Sequence, residues 1–239
     1  MASNNPPLIF IHGFRGNSAG LEELAKQFPD FQVFLPTLPP AEKQSLLKYD
    51  AGHYADWLAS YITKHKIDHP VLIGHSMGAI IAAATADKYP AIVSDKLILL
   101  APISAKPNKF FAILSPLSIL LPTKVVDFIT TKYLYAAKDP LQFKQILKTT
   151  NECSAAYQSK GDLFKTASFS THTCIADFHP PKSILLIAGA KDRLIPRKKT
   201  EELSVKLPAK AVFLDDAGHL LNYEQPAATA AAIKQFIAS

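Results

Sequence analysis

Ser76 stands between two glycines in the stretch VLIGHSMGAIIAAAT, which covers residues 71–85. The stretch begins as a short apolar run, typical of a buried strand, and continues directly into an alanine-rich pattern that predicts a helix. A hydroxyl at such a junction either caps the helix or is a nucleophile that a tight turn exposes at the end of the strand. The Gly-x-Ser-x-Gly spacing in a strand-turn-helix context favours the nucleophile.

A serine nucleophile needs a base that accepts its proton and an acid that orients the base. Asp192 follows the apolar run SILLIAGA, and His219 follows the run AVFLDD, so each is predicted to lie in a loop after a strand. Taken singly, either residue could be a helix cap or a surface side chain. Together with Ser76 they predict a catalytic triad in the chain order Ser, Asp, His. Asp215 and Asp216 lie near His219 and rank below Asp192 as the acid.

Acyl transfer also needs N–H donors for the negative charge that develops on the carbonyl oxygen. We expect one donor to be the backbone N–H of Met77, at the start of the helix. The second is expected to be the backbone N–H of Phe14, after a sharp turn at Gly13. His12 and His75 flank this site, and we expect them to hold loops by hydrogen bonds rather than to act as further bases.

The elements that must position these residues are short apolar runs that alternate with helical patterns. Continuous apolar runs are typical of strands covered on both faces, and their alternation with helices predicts an α/β fold with a mostly parallel, doubly wound sheet. Six runs predict about six strands, at residues 7–12, 31–36, 70–75, 96–101, 183–189 and 210–216.

The alternation stops between residues 103 and 181, where the sequence shows helical periodicity, prolines and no strand pattern. We expect this segment to be a helical insertion into a core made of residues 1–102 and 182–239. Its apolar side chains suit an acyl or aromatic group better than a highly charged one. Phe111 and Leu117 are the candidate substrate contacts.

Composition limits the classes of partner. The chain has 239 residues, 48% apolar content and a net charge of +6, but the basic residues are interspersed with acidic ones rather than concentrated in a stripe, which argues against a nucleic-acid partner. The amino-terminal MASNNPP has no signal-peptide pattern and no apolar run is long enough to cross a bilayer, so we expect a cytoplasmic protein. Two cysteines and scattered histidines predict neither a disulfide framework nor a metal site, and no cofactor motif is present. The oligomeric state stays open.

The motifs around His12-Gly13, Gly74 to Gly78, Gly189 to Pro196 and Ala217 to His219 resemble those of the α/β-hydrolase superfamily over nearly the whole chain. The resemblance implies a hydrolase with the triad named above, and it places residues 103–181 where this family carries its cap. The chain departs from many members in starting almost at the strand that bears His12.

Three functions stay open at this stage. The serine nucleophile and the apolar cap favour hydrolysis of a carboxylic ester, as in carboxylesterases or lipases, on a small acyl or lipid-like substrate. The first loop, HGFRGN, is also similar to that of enzymes that eliminate pyruvate, which leaves carbon-carbon bond chemistry as an alternative. Those enzymes commonly carry an arginine where this chain has Ile80. A ligand receptor with the hydrolase fold and no turnover is the third reading.

Overall fold

Parallel strands form the centre of the molecule. The computed structural model describes residues 5–39, 46–103, 125, 133–136, 140–155, 159–180 and 183–239. Within these ranges the strands are β1 (Leu8–Ile11), β2 (Val33–Phe34), β3 (Val71–His75), β4 (Lys96–Leu100), β5 (Ser183–Gly189) and β6 (Lys210–Leu214). They form one six-stranded sheet in the order β2-β1-β3-β4-β5-β6, and every neighbouring pair is parallel.

The apolar runs form strands because both faces of the sheet are covered. In β1, Ile9 and Ile11 belong to one buried cluster, whereas Leu8 and Phe10 belong to a second cluster on the opposite face. A strand buried on both sides needs apolar residues at every position, which accounts for the continuous runs in the sequence. The predicted fold class is confirmed.

Helices cover the two faces of this sheet. The α-helices of the described residues are α1 (Glu22–Ala25), α2 (Ala51–Lys64), α3 (Met77–Lys88), α4 (Pro140–Ala155), α5 (Lys160–His172), α6 (Arg197–Lys206), α7 (Leu221–Glu224) and α8 (Pro226–Ala238). Buried side chains of α2, α3 and α6 pack in the first cluster, and those of α1 and α8 pack in the second. This arrangement is the doubly wound one expected from the alternation.

Two elements are shorter than the sequence predicts. The helical pattern SAGLEELAKQF at residues 18–28 predicts a longer helix, but the segment starts as a 3₁₀ turn, Ser18–Leu21, and its α-helical part is only four residues long. Strand β2 has two residues at the edge of the sheet, followed closely by Pro36. Proline cannot donate a hydrogen bond to a strand ladder, so the edge strand ends early.

The described part of the segment 103–181 contains the two helices α4 and α5. Helix α5 packs on α2 through a stacked pair of rings, Tyr54 and Phe169, whose centroids lie 4.8 Å apart. The buried Asp162 of α5 also accepts a hydrogen bond from the Tyr49 hydroxyl. Phe111 and Leu117 lie outside the described residues. No helix in the described ranges combines the length and apolar character needed to cross a bilayer.

Candidate active site

Ser76 is the single residue between the end of β3 at His75 and the start of α3 at Met77. Its backbone has φ 54° and ψ −113°, a conformation that is strained for a residue with a side chain. The Ser76 N–H donates to the Leu100 carbonyl at 2.9 Å, which ties the turn to β4. The Ser76 hydroxyl makes no capping hydrogen bond to α3, so the helix-cap explanation does not hold.

The glycines on either side of Ser76 are required by close backbone packing. A Cβ atom on Gly74 would overlap the backbone of Gly78, and one on Gly78 would overlap the carbonyl group of Ile11. Backbone atoms cannot swing away as a flexible side chain can. Strand β3, helix α3 and strand β1 therefore meet at this turn only because both positions lack a side chain.

Three side chains from distant parts of the sequence form one hydrogen-bonded chain at this turn. His219 Nε2 lies 2.9 Å from Ser76 Oγ, and His219 Nδ1 lies 2.8 Å from Asp192 Oδ2. A carboxylate only accepts hydrogen bonds, so Nδ1 carries the proton and Nε2 is free to accept the serine proton. All three residues are buried.

The Asp192 carboxylate is fixed by the loop that follows β5. Its Oδ1 atom accepts the N–H groups of Leu194 and Ile195, both at 2.8 Å, which leaves Oδ2 for His219. The two reserve acids, by contrast, are exposed, and Asp216 forms an ion pair with Lys191 at 2.6 Å. Asp192 is therefore the acid that the fold brings to His219.

The loop after β1 runs beside Ser76. A Cβ atom on Gly13 would lie 3.1 Å from Ser76 Cβ. In the described chain no glycine has a positive φ, so Gly13 is needed for this close approach and not for the sharp turn expected from the sequence. The residue with positive φ in this loop is Arg15, at 57°.

His12 fixes the orientation of the Gly13-Phe14 peptide. Its Nε2 atom accepts the N–H of Leu38 at 2.9 Å, so the proton lies on Nδ1, which donates to the Gly13 carbonyl at 2.9 Å. The Gly16 N–H also donates to this carbonyl. Because a trans peptide is planar, with its N–H opposite its C=O, holding the Gly13 carbonyl sets the direction of the Phe14 N–H. Burial lowers the pKa of His12 to about 4, which keeps the ring neutral in this role.

His75 holds the backbone of His219. Its Nε2 atom lies 2.9 Å from the His219 carbonyl oxygen and therefore donates to it. Burial, followed by electrostatic repulsion between the protonated ring and nearby His219, lowers the pKa of His75 to about 3. The two flanking histidines thus bind loop backbone, as expected, and neither contacts the Ser76 hydroxyl among the hydrogen bonds of the described residues.

The sequence profile of the alpha/beta hydrolase family matches residues 8–232. This range includes all six strands and the hydrogen-bonded trio, so the chain belongs to the alpha/beta hydrolase family. Membership of the family does not by itself define the reaction.

Relatives and solved structures are consistent with this assignment. A Mycoplasma pneumoniae protein provisionally named esterase/lipase 3 is 29% identical over 99 residues, which span 41% of this chain and only 36% of that protein. The 2-(acetamidomethylene)succinate hydrolase of Mesorhizobium japonicum is 25% identical over 98% of this chain and 88% of its own length. The solved structure of the esterase EaEST from Exiguobacterium antarcticum superposes with a TM-score of 0.85, at 15% identity, over 100% of this chain and 94% of that one. This last likeness shows the shared fold.

Proposed function

We propose that this protein hydrolyses a carboxylic ester of a small acyl or lipid-like substrate, with Ser76 as nucleophile, His219 as base and Asp192 as the acid that orients it. The observation that carries the proposal is the Ser76-His219-Asp192 hydrogen-bonded chain, at 2.9 and 2.8 Å, on a strained turn. The name of the Mycoplasma pneumoniae relative supports an ester as the substrate.

The reaction follows from the proton positions. Ser76 Oγ attacks the carbonyl carbon of the ester while its proton passes to His219 Nε2, and the charge that develops on the substrate oxygen is stabilised by the N–H groups of Phe14 and Met77. His219 then gives the proton to the leaving alcohol as the C–O bond breaks, which leaves an acyl group on Ser76. Water, deprotonated by the same histidine, attacks the acyl carbon, and the acid product leaves as Ser76 regains its proton.

Residues 103–181 would supply the acyl pocket. In this proposal the apolar side chains of the segment, with Phe111 and Leu117 as candidates, cover the substrate chain and exclude water. Location in the cytoplasm and the lack of a nucleic-acid partner stay predictions from the sequence.

Turnover of p-nitrophenyl esters of increasing chain length tests the proposal. We expect kcat/KM to rise by up to about fourfold per added methylene until the pocket is full, because burial of a methylene is worth about 0.8 kcal/mol. Ser76→Ala should abolish this turnover, whereas Ser204→Ala, on the outer helix α6, should not change it. Wild-type protein that binds such esters without hydrolysing them would instead be a receptor.

A second candidate is hydrolysis of an acidic substrate that is not an ester. It is favoured by the similarity over 98% of the chain to a protein named 2-(acetamidomethylene)succinate hydrolase. That compound should therefore be included in the panel. If the protein hydrolysed 2-(acetamidomethylene)succinate faster than any ester, the same residues would be assigned to this second reaction.

A further inference from the structure

The loop that carries His219 is held by a short part of the inserted segment. The His219 N–H donates to the Leu134 carbonyl at 2.9 Å, and the Leu220 N–H donates to the same oxygen at 3.3 Å. The packing is close, since a Cβ atom on Gly218 would lie 2.9 Å from that oxygen. The backbone of His219 is thus bound to residues more than eighty positions earlier in the chain.

Glu224, the last residue of α7, links the two chain segments through its side chain. Its Oε1 atom accepts the Gly218 N–H at 3.1 Å, and its Oε2 atom accepts the Ala136 N–H at 2.9 Å. Glu224 is only 7% exposed. A carboxylate with so little access to water is stable only when its oxygens are hydrogen-bonded, and its hydrogen bonds are stronger than those of a neutral acceptor.

The neighbouring residues reinforce this connection. Gln142 of α4 donates from Nε2 to the Tyr223 carbonyl, and its own Oε1 accepts the Tyr135 hydroxyl at 2.9 Å. His75 holds the His219 carbonyl. His219 is therefore fixed at its N–H and at its carbonyl by two different parts of the fold.

We propose that Glu224 is a positioning residue for His219, which acts by locking the backbone of the histidine loop against residues 134–136. The inference rests on the proposed function, because it assigns His219 the role of base. Hydrogen bonds at 2.9 and 2.8 Å to Ser76 and Asp192 tolerate little displacement of the imidazole, and an error of about 1 Å in a catalytic group can cost about 100-fold in rate. Hydrogen bonds at both the N–H and the carbonyl of His219 limit this displacement.

Glu224 does not serve as an alternative acid. His219 Nδ1 is already bound to Asp192, and both oxygens of Glu224 face backbone N–H groups. Its effect on the reaction must therefore pass through the position of His219. This distinguishes it from Asp192, whose carboxylate contacts the imidazole directly.

The test compares Glu224→Gln with Glu224→Asp and with the control Glu201→Gln, which alters an exposed acid on α6. Glutamine keeps the shape but places an NH₂ group against one of the two N–H donors, and aspartate keeps the charge but is shorter. We expect Glu224→Gln to lower kcat for p-nitrophenyl butyrate about 10- to 100-fold, with KM changed less than about threefold. The kcat is expressed per active site, and the active sites are counted by titration with a fluorophosphonate. Glu224→Asp should lose less, and the control should match the wild type.

A second comparison separates positioning from a general loss of structure. In a His219→Ala background, Glu224→Gln should cause no further loss of the residual activity, because the residue through which it acts is gone. Two results would overturn the inference: a kcat per active site within about twofold of the wild type for Glu224→Gln, or an equal loss in the His219→Ala background. Wild-type protein without turnover or labelling would instead refute the proposed function, so the two failures can be told apart.

Discussion

Ser76 and Asp192, the proposed nucleophile and acid, are both held in place by the local backbone. The strained φ of Ser76 costs on the order of 1–3 kcal/mol, and its hydroxyl is hydrogen-bonded to His219 rather than to the N–H groups of helix α3. The Asp192 carboxylate is held by two backbone N–H groups of its own loop, so its second oxygen keeps a fixed direction. In both cases the local backbone determines where the side-chain oxygen lies.

Replacement of the acid tests the residue assignment. Asp192→Asn should lower kcat by about 10⁴-fold, because the amide favours the wrong histidine tautomer and cannot stabilise the imidazolium. The matched control is Asp216→Asn, which removes an exposed ion pair and should leave kcat within about twofold. Rates of ester hydrolysis for purified, folded variants decide the question. If Asp216→Asn lowered kcat far more than Asp192→Asn, the acid would lie in the loop after β6.

Buried neutral histidines should make stability depend on pH. The pKa values of His12 and His75 are lowered in the folded protein from 6.5 to about 4 and about 3, so below about pH 6.5 the unfolded chain binds protons that the folded chain does not. Their stabilising contribution is therefore complete above that pH and is lost as the pH falls toward the folded values. The free energy of unfolding should drop by up to about 3 kcal/mol per pH unit between about pH 5.5 and 4.5.

Urea unfolding across this pH range measures the effect. His75→Gln, which keeps an N–H donor and removes one titrating ring, should reduce the slope by about half. A free energy of unfolding that stays constant from neutral pH to about pH 5 would mean that these rings are not buried in neutral form.

At the scale of elements, the junction of β1, β3 and α3 requires glycine at two positions because the backbones pack closely there. This junction brings Ser76, the Gly13 loop and the start of α3 together. The loops that carry Asp192 and His219 lie at the same end of the sheet, where the strands have their carboxyl ends. Parallel strands align their carboxyl ends, which is why residues far apart in sequence converge there.

Alanine substitutions test the packing of this junction. Gly78→Ala should destabilise the protein by about 3 kcal/mol, since the added Cβ overlaps the backbone of β1 and cannot be accommodated without a shift of α3. Gly52→Ala on α2 is the control: the nearest neighbour to its Cβ is at an ordinary 3.4 Å, and helical alanine should be neutral or stabilising by about 0.5–1 kcal/mol. Thermal unfolding of the two variants gives the comparison. If Gly78→Ala were as stable as Gly52→Ala, α3 would not pack against β1 as closely as described.

At the scale of the whole molecule, the sheet and the trio of polar residues were predictable because their signals are local. Apolar runs predicted the strands, and Ser76, Asp192 and His219 each follow such a run. The structure brings the three side chains together, although their roles stay predictions. The contact of His219 with Leu134 and the bridge made by Glu224 were not predicted, because they join backbone segments more than eighty residues apart in the sequence. A lone glutamate five positions after His219 gives no periodic signal.

The position of covalent attachment tests the central claim most directly. Wild-type protein treated with a fluorophosphonate, digested and analysed by mass spectrometry should carry a single adduct, on Ser76, and labelling should be lost in Ser76→Ala and slowed by several orders of magnitude in His219→Ala. An adduct on another serine, or no adduct in protein that still hydrolyses esters, would contradict the proposed role of Ser76.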